Sequence, residues 1–289
     1  MQAINSFMIY GARGTTPAVG PHFARHGGQT TCYSLRTPQG LIVIDAGTGL
    51  IELGQQLARS AKPPPIALLF THFHLDHLMG LPLFKPLSLP QAHITLLGGA
   101  RGGQTWPAAL TRLCAPPYWP ISLRDCRAQL HWQNLPRTQP LNRYGARISW
   151  CPLNHPQDSL AYRLELAGRA IVIITDHEFG QPGFDDPLRR FGQQADVLLV
   201  DAQYLPRELP ARRGWGHGTW PAAAELARAA GAAELILTHH DRYRTDSQIS
   251  ALVRQCRQVF RRTRAARAGL CWSLGPQPGA APSKPGKSR

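Results

Sequence analysis

Four side chains of the types that bind metals lie within six residues, in the segment His72-Phe73-His74-Leu75-Asp76-His77. Imidazole nitrogens combined with a carboxylate favour Zn²⁺, Mn²⁺ or Fe²⁺, because Ca²⁺ and Mg²⁺ prefer shells made of oxygen alone. The apolar run 66–70 comes directly before the segment and predicts a buried strand. A strand end is rigid enough to direct several ligands at one point. The segment therefore predicts a metal centre rather than a group of histidines in a surface loop.

Three further apolar runs end in the same kind of side chain. They are 148–153 before His155, 170–174 before Asp176 and His177, and 235–238 before His239 and His240. A single histidine after a strand is more often an ordinary loop residue. Four such strand ends in one chain indicate a shared site. Their candidate ligands are too many for one tetrahedral ion, whereas seven ligands fit two metal ions that share one carboxylate.

These motifs resemble the metallo-β-lactamase superfamily, and within it the phosphodiesterase branch that includes ribonuclease Z. The resemblance covers roughly residues 4 to 245. It rests on the His-x-His-x-Asp-His motif, followed in order by a histidine, an aspartate and a histidine. The fold that it implies is α/β, a four-layer αββα sandwich in which two mixed β-sheets are flanked by helices.

The resemblance also implies a ligand for each position of a two-metal site. His72, His74 and His155 would hold one ion, Asp76, His77 and His239 would hold the second, and Asp176 would bridge them. His239 is favoured over His240 because Leu237-Thr238-His239 resembles the last motif of the family. The expected cofactor is two divalent ions, with Zn²⁺ first and Mn²⁺ or Fe²⁺ as alternatives.

Other residues would support these ligands or take part in catalysis. A ligand histidine needs its second ring nitrogen held by a carboxylate or a carbonyl, and the candidate carboxylates are Asp45, Glu178, Asp201 and Asp241. Asp76 would also orient or deprotonate the attacking water. The segment 216–219 resembles the part of ribonuclease Z that supplies another catalytic histidine, here His217. The alternative is that His217 lies in a helix-capping loop with Thr219 as the N-cap.

The expected reaction is hydrolysis of a phosphodiester by a hydroxide that the metal ions hold. Ribonuclease Z carries a long arm that grips tRNA between the third-motif histidine and the bridging aspartate. Here only a hairpin fits between His155 and Asp176. This favours a small anionic substrate, such as a cyclic nucleotide. An RNA or single-stranded DNA nuclease of the ribonuclease Z type is the first alternative, and a lactonase or thioesterase on the same fold is another.

The positive charge of the chain makes nucleic acid a second candidate partner. The formal net charge is +15, and six arginines lie between Arg254 and Arg267. A basic surface attracts polyanions, although a solvated terminal helix explains the same arginines. The segment 99–128, with its tryptophans and prolines, can stack a base, cover the pocket, contact a dimer partner or pack in the core of its own domain. Members of this branch are often homodimers, and a homodimer is expected here.

Composition predicts one catalytic domain at 1–274 and a disordered Pro/Gly-rich basic tail at 275–289. The chain has no apolar run long enough to cross a membrane and no signal-peptide pattern at its start, so we expect a cytoplasmic protein. Six scattered cysteines predict neither a zinc ribbon nor a disulfide framework.

The same patterns predict the order of the elements. Strands are expected near 4–10, 31–37, 41–45, 66–70, 93–97, 129–133, 146–153, 159–166, 170–174, 196–200, 234–238 and 270–273. Helices are expected at 48–60, 103–113, 219–230 and 246–266.

Overall fold

Two mixed seven-stranded β-sheets form the centre of the protein in a computed structural model, which describes residues 5–99, 106–136 and 139–275. The first sheet has the order β14-β1-β2-β3-β4-β5-β6, and the second has the order β13-β12-β11-β10-β9-β8-β7. The strands of the first sheet are β1 (Ser6–Gly11), β2 (Cys32–Thr37), β3 (Gly40–Ile44), β4 (Ile66–Leu69), β5 (His93–Gly98), β6 (Gln129–Asn134) and β14 (Cys271–Ser273). Those of the second are β7 (Leu141–Arg143), β8 (Ala146–Leu153), β9 (Ser159–Leu166), β10 (Arg169–Ile174), β11 (Val197–Asp201), β12 (Leu235–Thr238) and β13 (Thr263–Ala265).

The helices cover the outer faces of these sheets. They are α1 (Gly49–Ala58), α2 (Trp106–Leu113), α3 (Pro182–Phe191), α4 (Trp220–Ala229) and α5 (Asp246–Val259). Apolar side chains of α1 and α2 pack with the first sheet, and those of α3, α4 and α5 pack with the second. The result is the four-layer αββα arrangement that the sequence predicted.

Successive side chains of the central strands alternate between two buried faces of the sheet. In β3, Ile42 and Ile44 face the core between the two sheets, while Leu41 and Val43 face the helices. In β10, Ile171 and Ile173 face the same inter-sheet core. Because successive side chains of a strand point to opposite faces, a strand buried on both sides must be apolar at every position. This is why the runs before the metal-type residues could be recognised as strands.

The parallel strands bring the metal-type residues together. β3 pairs with β4, β10 with β11, and β11 with β12, each in parallel. The carboxyl ends of parallel neighbours meet at the same edge of a sheet. The residues that follow these strands therefore lie side by side although they are far apart in the chain.

The prediction of one helix over 246–266 was wrong at its end. α5 stops at Val259, and 263–265 forms β13, which pairs with the edge of β12. Thr263 and Ala265 are buried there, and the Thr263 hydroxyl donates to the Phe260 carbonyl, so an edge strand is more favourable than another helical turn. The arginines from 254 to 267 consequently do not lie on one helix.

Other elements were not predicted. β7 is short, and α3 was missed because Pro182 and Pro187 both fall within it. Pro182 occupies the first helical position, where proline is favoured. The expected tail at 275–289 lies outside the described residues from 276 onward, as does the start of the helix predicted at 103–113. All six cysteines are free.

None of the helices in the described part of the chain could cross a membrane. No helix there has both the length and the apolar character that a bilayer crossing needs.

Candidate metal centre

The candidate site forms where loops leave the carboxyl ends of strands from both sheets. His72, His74, Asp76 and His77 follow β4, Asp176 follows β10, and His239 follows β12. Asp176 and His239 both have left-handed backbone conformations, with φ of 55° at each. Non-glycine residues adopt this conformation at a cost, and such positions concentrate at functional sites.

One group of ligand atoms belongs to three histidines. His72, His74 and His155 each offer a ring nitrogen, and these atoms lie within 4.8 Å of one another. His74 Nδ1 is 3.0 Å from His155 Nε2. His72 and His155 are buried, while His74 is half-buried. We call these three residues the histidine set.

A second group combines two histidines with a carboxylate. Asp76, His77 and His239 also have ligand atoms within 4.8 Å of one another, and all three residues are buried. Asp76 Oδ2 lies 3.4 Å from His77 Nε2 and 3.3 Å from His239 Nε2. We call these residues the aspartate set.

Asp176 lies between the two sets. Its Oδ1 is 3.9 Å from His72 Nε2 and 3.9 Å from His155 Nε2 in the histidine set. The same carboxylate is 3.2 Å from His77 Nε2 and 3.4 Å from His239 Nε2 in the aspartate set. One oxygen or the other of this carboxylate therefore lies within 3.9 Å of four of the five histidines in the two sets, as expected of a bridging ligand.

Asp45 holds the second ring nitrogen of His77 directly and supports that of His72 through the Thr71 hydroxyl. Its Oδ2 is 2.8 Å from His77 Nδ1. The Thr71 hydroxyl donates to the Asp45 carboxylate and lies 3.0 Å from His72 Nδ1, from which it can accept. Both rings therefore keep Nε2 free toward the cluster, as ligand histidines require. Asp45 itself has a left-handed φ of 64°.

Two other histidines are held by groups that the sequence did not suggest. His155 Nδ1 is 2.8 Å from the Gly216 carbonyl oxygen, and His74 Nε2 is 3.0 Å from Gln157 Oε1. Gly216 has a φ of 81°, and a Cβ there would lie 2.1 Å from His155 Nδ1. This close approach requires glycine.

The candidate carboxylates divide into those that contact histidines and those that shape loops. Asp201 contacts His217, described below. The Glu178 carboxylate instead accepts from the backbone N–H groups of Gly214 and Gly216, and Asp241 accepts from the N–H of Tyr243. These three bonds fix the loops that border the cluster.

Two members of the histidine set, His72 and His155, are neutral at pH 7. Burial lowers the pKa of His72 well below its ordinary value and that of His155 to about 4. A neutral imidazole is the form that binds a metal.

The aspartate set attracts positive charge. Burial alone would lower the pKa of His77 and His239, but neighbouring carboxylates, with Asp176 foremost, outweigh it. They raise the pKa of His77 well above its ordinary value and that of His239 to about 9. A proton held there occupies the place where a cation would be stabilised.

Buried atoms without partners test whether the cluster fits metal ions. Among the described residues, His72 Nε2, His77 Nε2 and Asp176 Oδ2 are buried and make no hydrogen bond. Leaving such groups unpaired costs roughly 1–3 kcal/mol each. A positively charged partner would satisfy all three atoms. The candidate ligand atoms therefore fit divalent ions.

The neighbouring histidines His177 and His240 lie outside the cluster. His240 Nε2 is 3.0 Å from the Ala266 carbonyl oxygen, and burial lowers its pKa. His177 accepts at Nδ1 from the Asn154 N–H, and its Nε2 is 3.1 Å from Asp185 Oδ1. Of the doublet, it is therefore His239 that lies among the other candidate ligands.

His217 lies beside both sets. Its Nδ1 is 2.9 Å from Asp201 Oδ2, and its ring stacks on His239 at a centroid distance of 5.0 Å. With Nδ1–H donating to Asp201, Nε2 is free for another partner. Thr219 does occupy the N-cap position of α4, but its side chain makes no capping hydrogen bond.

A cavity of about 430 Å³ opens over the cluster. His74, Asp76, Asp176 and His217 line it, together with residues that the sequence did not single out, among them Arg212, Trp215, Arg242 and Tyr243. Their one signal in the sequence was closeness to His217 and to the 239–240 doublet. Trp215 is 60% exposed and Tyr243 is 70% exposed, which is unusual for large aromatic side chains that line a polar cavity.

The described part of the 99–128 segment does not line this cavity. Trp106, Leu110 and Leu123 are buried in the core outside the first sheet. Trp119 and Ile121 border a separate apolar groove with Leu83. Of the readings offered for the segment, packing in its own domain describes Trp106, Leu110 and Leu123. Thr105 lies outside the described residues.

Comparison with protein families matches residues 41–240 to the beta-lactamase superfamily domain. The chain belongs to the beta-lactamase superfamily. The matched range contains every residue of the histidine and aspartate sets, and Asp176.

Relatives and solved structures of the superfamily agree with this assignment. The chain is 26% identical to the ribonuclease BN of Escherichia coli O1:K1 over 286 residues, which covers 82% of this chain and 90% of the relative. The metallo-beta-lactamase fold protein YhfI from Bacillus subtilis has a TM-score of 0.72 at 19% identity, covering 93% of this chain and 100% of its own. A diphosphatase of the PhnP family has a TM-score of 0.66 at 18% identity, covering 92% and 96%.

Proposed function

We propose that this superfamily member is a dinuclear metal-dependent phosphodiesterase that hydrolyses a small or cyclic nucleotide. The cavity over the ligand cluster carries the proposal. It combines candidate metal ligands, two arginines and two exposed aromatic rings in one concave surface.

The size of the cavity suits a small molecule. Its volume of about 430 Å³ falls within the range of roughly 300–1,000 Å³ that is typical of small-ligand sites. Arg212 and Arg242 offer guanidinium groups to phosphoryl oxygens. Trp215 and Tyr243 offer aromatic faces on which a base can stack. Phosphate and base are the two parts of a nucleotide.

The chain between the third and fourth motifs supports the same substrate class. β9 and β10 are joined by the two residues Ala167 and Gly168, both with positive φ. Every residue from His155 to Asp176 is described, and none forms an arm. A long nucleic acid would lack the grip that the arm provides in ribonuclease Z.

The residues at the cluster would divide the chemistry between them. Ions held by the histidine and aspartate sets would act as Lewis acids on the phosphoryl group and lower the pKa of a water molecule. The Asp76 carboxylate would orient this water and take up its proton. Asp76 is itself held in place, because its Oδ2 accepts from the backbone N–H of Thr15 at 2.7 Å.

His217 would act on the leaving group. Asp201 orients the ring through Nδ1, so Nε2 can donate a proton to the departing alkoxide or a hydrogen bond to a phosphoryl oxygen.

A nuclease is the second candidate. The observation that favours it is the similarity to the E. coli protein named ribonuclease BN, which extends over 82% of this chain. The net charge of +15 is compatible with an RNA substrate. A short single strand could enter the same cavity at one end.

Hydrolysis assays separate the two candidates. Protein loaded with Zn²⁺ or Mn²⁺ is offered 3′,5′-cyclic purine and pyrimidine nucleotides, a 2′,3′-cyclic nucleotide and a short RNA. Turnover of cyclic nucleotides with RNA intact supports the proposal. Cleavage of RNA with all cyclic nucleotides spared would replace it with the nuclease.

Several finer expectations stay predictions. They are zinc as the native metal, a homodimer, a cytoplasmic location and a single domain over 1–274. Metal analysis of the purified protein and light scattering would test the first two.

A further inference from the structure

A second cavity, of about 410 Å³, lies away from the candidate metal centre. Arg25 and His26 line it from the loop after β1, Arg254 and Arg257 from α5, and Arg264 and Arg267 from β13 and the loop after it. We call it the arginine cavity. Five guanidinium groups therefore surround one concave space.

Few carboxylates compensate this charge. Arg264 pairs with Glu234. In the part of the chain that is described, the side chains of Arg25, Arg254, Arg257 and Arg267 make no ion pair with a carboxylate. Four like charges around one cavity repel one another unless an anion enters.

Acidic residues near the cavity are occupied in building its walls. The Asp246 carboxylate accepts from the backbone N–H groups of Arg25, at 2.8 Å, and His26, at 3.2 Å. This fixes the loop against the first turn of α5. Arg257 Nε donates to the Thr263 carbonyl at 2.9 Å, which ties α5 to β13. Three chain segments are thus held in place before any ligand binds.

A buried histidine in the wall points independently to a ligand. His26 is 7% exposed, and its Nδ1 lies 3.3 Å from the Ala266 carbonyl oxygen. Its Nε2 is buried with no hydrogen-bond partner among the described residues. Buried polar atoms in folded proteins nearly always have a partner, so an unpaired one at a cavity indicates a group that completes it.

We propose that the arginine cavity binds a compact ligand with two or more adjacent phosphoryl groups, at a site separate from the catalytic cavity. Guanidinium groups bind phosphate through paired, charge-assisted hydrogen bonds. Four uncompensated arginines exceed what one phosphoryl group needs. The volume of about 410 Å³ favours a compact polyphosphate, such as that of a nucleotide, over an extended backbone.

The arginine cavity and the candidate metal centre lie close to each other. The ring of His26 makes an edge contact with His240 at a centroid distance of 5.8 Å, and His240 follows directly after His239 of the aspartate set. The test must therefore distinguish binding in the arginine cavity from binding at the metal centre.

Calorimetry of the metal-loaded protein with inorganic triphosphate, at about 150 mM salt, makes this distinction. The test variant is Arg254→Gln/Arg267→Gln. The matched control is Arg261→Gln/Arg262→Gln, which removes the same charge from exposed residues that do not line the cavity. We expect binding to weaken by at least about tenfold in the test variant and less than about twofold in the control. Hydrolysis of bis(p-nitrophenyl) phosphate should be unchanged in both variants.

Two results would overturn the proposal. Equal weakening in both variants would mean that triphosphate responds to general charge. A short oligonucleotide that binds through Arg254 and Arg267 while triphosphate does not would reassign the cavity to nucleic acid. A thermal melt of each variant checks that the fold is kept, and the single variant Arg267→Gln, in a loop, serves if the double variant unfolds.

Discussion

The histidine set and the aspartate set share Asp176 but differ in charge and exposure. The first offers three imidazoles and has no carboxylate of its own, with His74 half-buried at the cavity. The second offers a carboxylate and two buried histidines, and Asp45 lies 2.8 Å behind one of them. One set has no carboxylate and is partly exposed, whereas the other contains a carboxylate and all its members are buried.

This difference separates the tasks of the two sites. A divalent ion gains more Coulomb energy beside a buried carboxylate than among neutral rings, because the interior screens charge weakly. We therefore expect the aspartate set to hold its ion more tightly and the histidine set to exchange its ion more readily. Four predictions test this difference between the two sets.

The largest effect is expected from Asp76→Ala, which removes the carboxylate of the aspartate set. Hydrolysis should fall by roughly 10³-fold or more, because a metal ligand and the group that handles the water's proton are lost together. Initial rates with a cyclic nucleotide measure it. Asp186→Ala, at an exposed carboxylate on α3, is the control and should keep full activity. A fully active Asp76→Ala protein would contradict the mechanism.

The next effect is expected from His217→Gln, which leaves both sets intact. Turnover should fall about 10²-fold because the proton donor is lost. Metal content should stay unchanged, since Asp201 rather than a candidate ligand orients His217 most closely. Kinetics and elemental analysis are measured on the same sample. Loss of metal together with activity would instead place His217 among the ligands.

The two sets should also respond differently to pH. Without metal, His239 has a pKa of about 9, so at pH 7 it carries a proton that an ion must displace. Affinity at the aspartate set should then fall as pH drops below 9, by up to roughly tenfold per unit for each displaced proton. His155, with a pKa of about 4, releases no proton above pH 5, so histidine-set affinity should vary less.

Competitive metal titrations at several pH values test this difference. His74→Ala protein reports the aspartate set, and Asp76→Ala protein reports the histidine set. Equal pH slopes in the two variants would remove the contrast.

The smallest effect is expected from Trp215→Ala, which touches neither set. The Michaelis constant for a nucleotide should rise about tenfold while turnover is nearly kept, because stacking on one base contributes roughly 1–3 kcal/mol. Tyr118→Ala, an exposed aromatic residue outside the cavity, is the control. An unchanged Michaelis constant would remove base stacking from the account.

Sequence reasoning worked best where ligands are neighbours in the chain. Four candidate ligands lie within 72–77 after one apolar run, and the resemblance that these motifs carry implied the four-layer fold. Asp176 and His239 could be proposed because each follows an apolar run and matches a motif of the family. These features depend on local patterns, which a sequence displays directly.

It failed where long-range contacts decide the outcome. Nothing near His155 or His74 in the chain reveals that the Gly216 carbonyl and Gln157 hold their rings. The arginines after Val259 were assigned to a helix because the free edge of β12, which recruits β13, cannot be read locally. The arginine cavity was invisible for the same reason, since three separate segments build it.

The most direct test of whether each set holds one metal ion is anomalous diffraction. The data would be collected at the zinc edge from crystals grown with Zn²⁺. We expect two peaks, one within the histidine set (His72, His74 and His155) and one within the aspartate set (Asp76, His77 and His239). Asp176 should lie between them. A single peak, or a peak held by Asp201 and His217 in place of either set, would contradict this expectation.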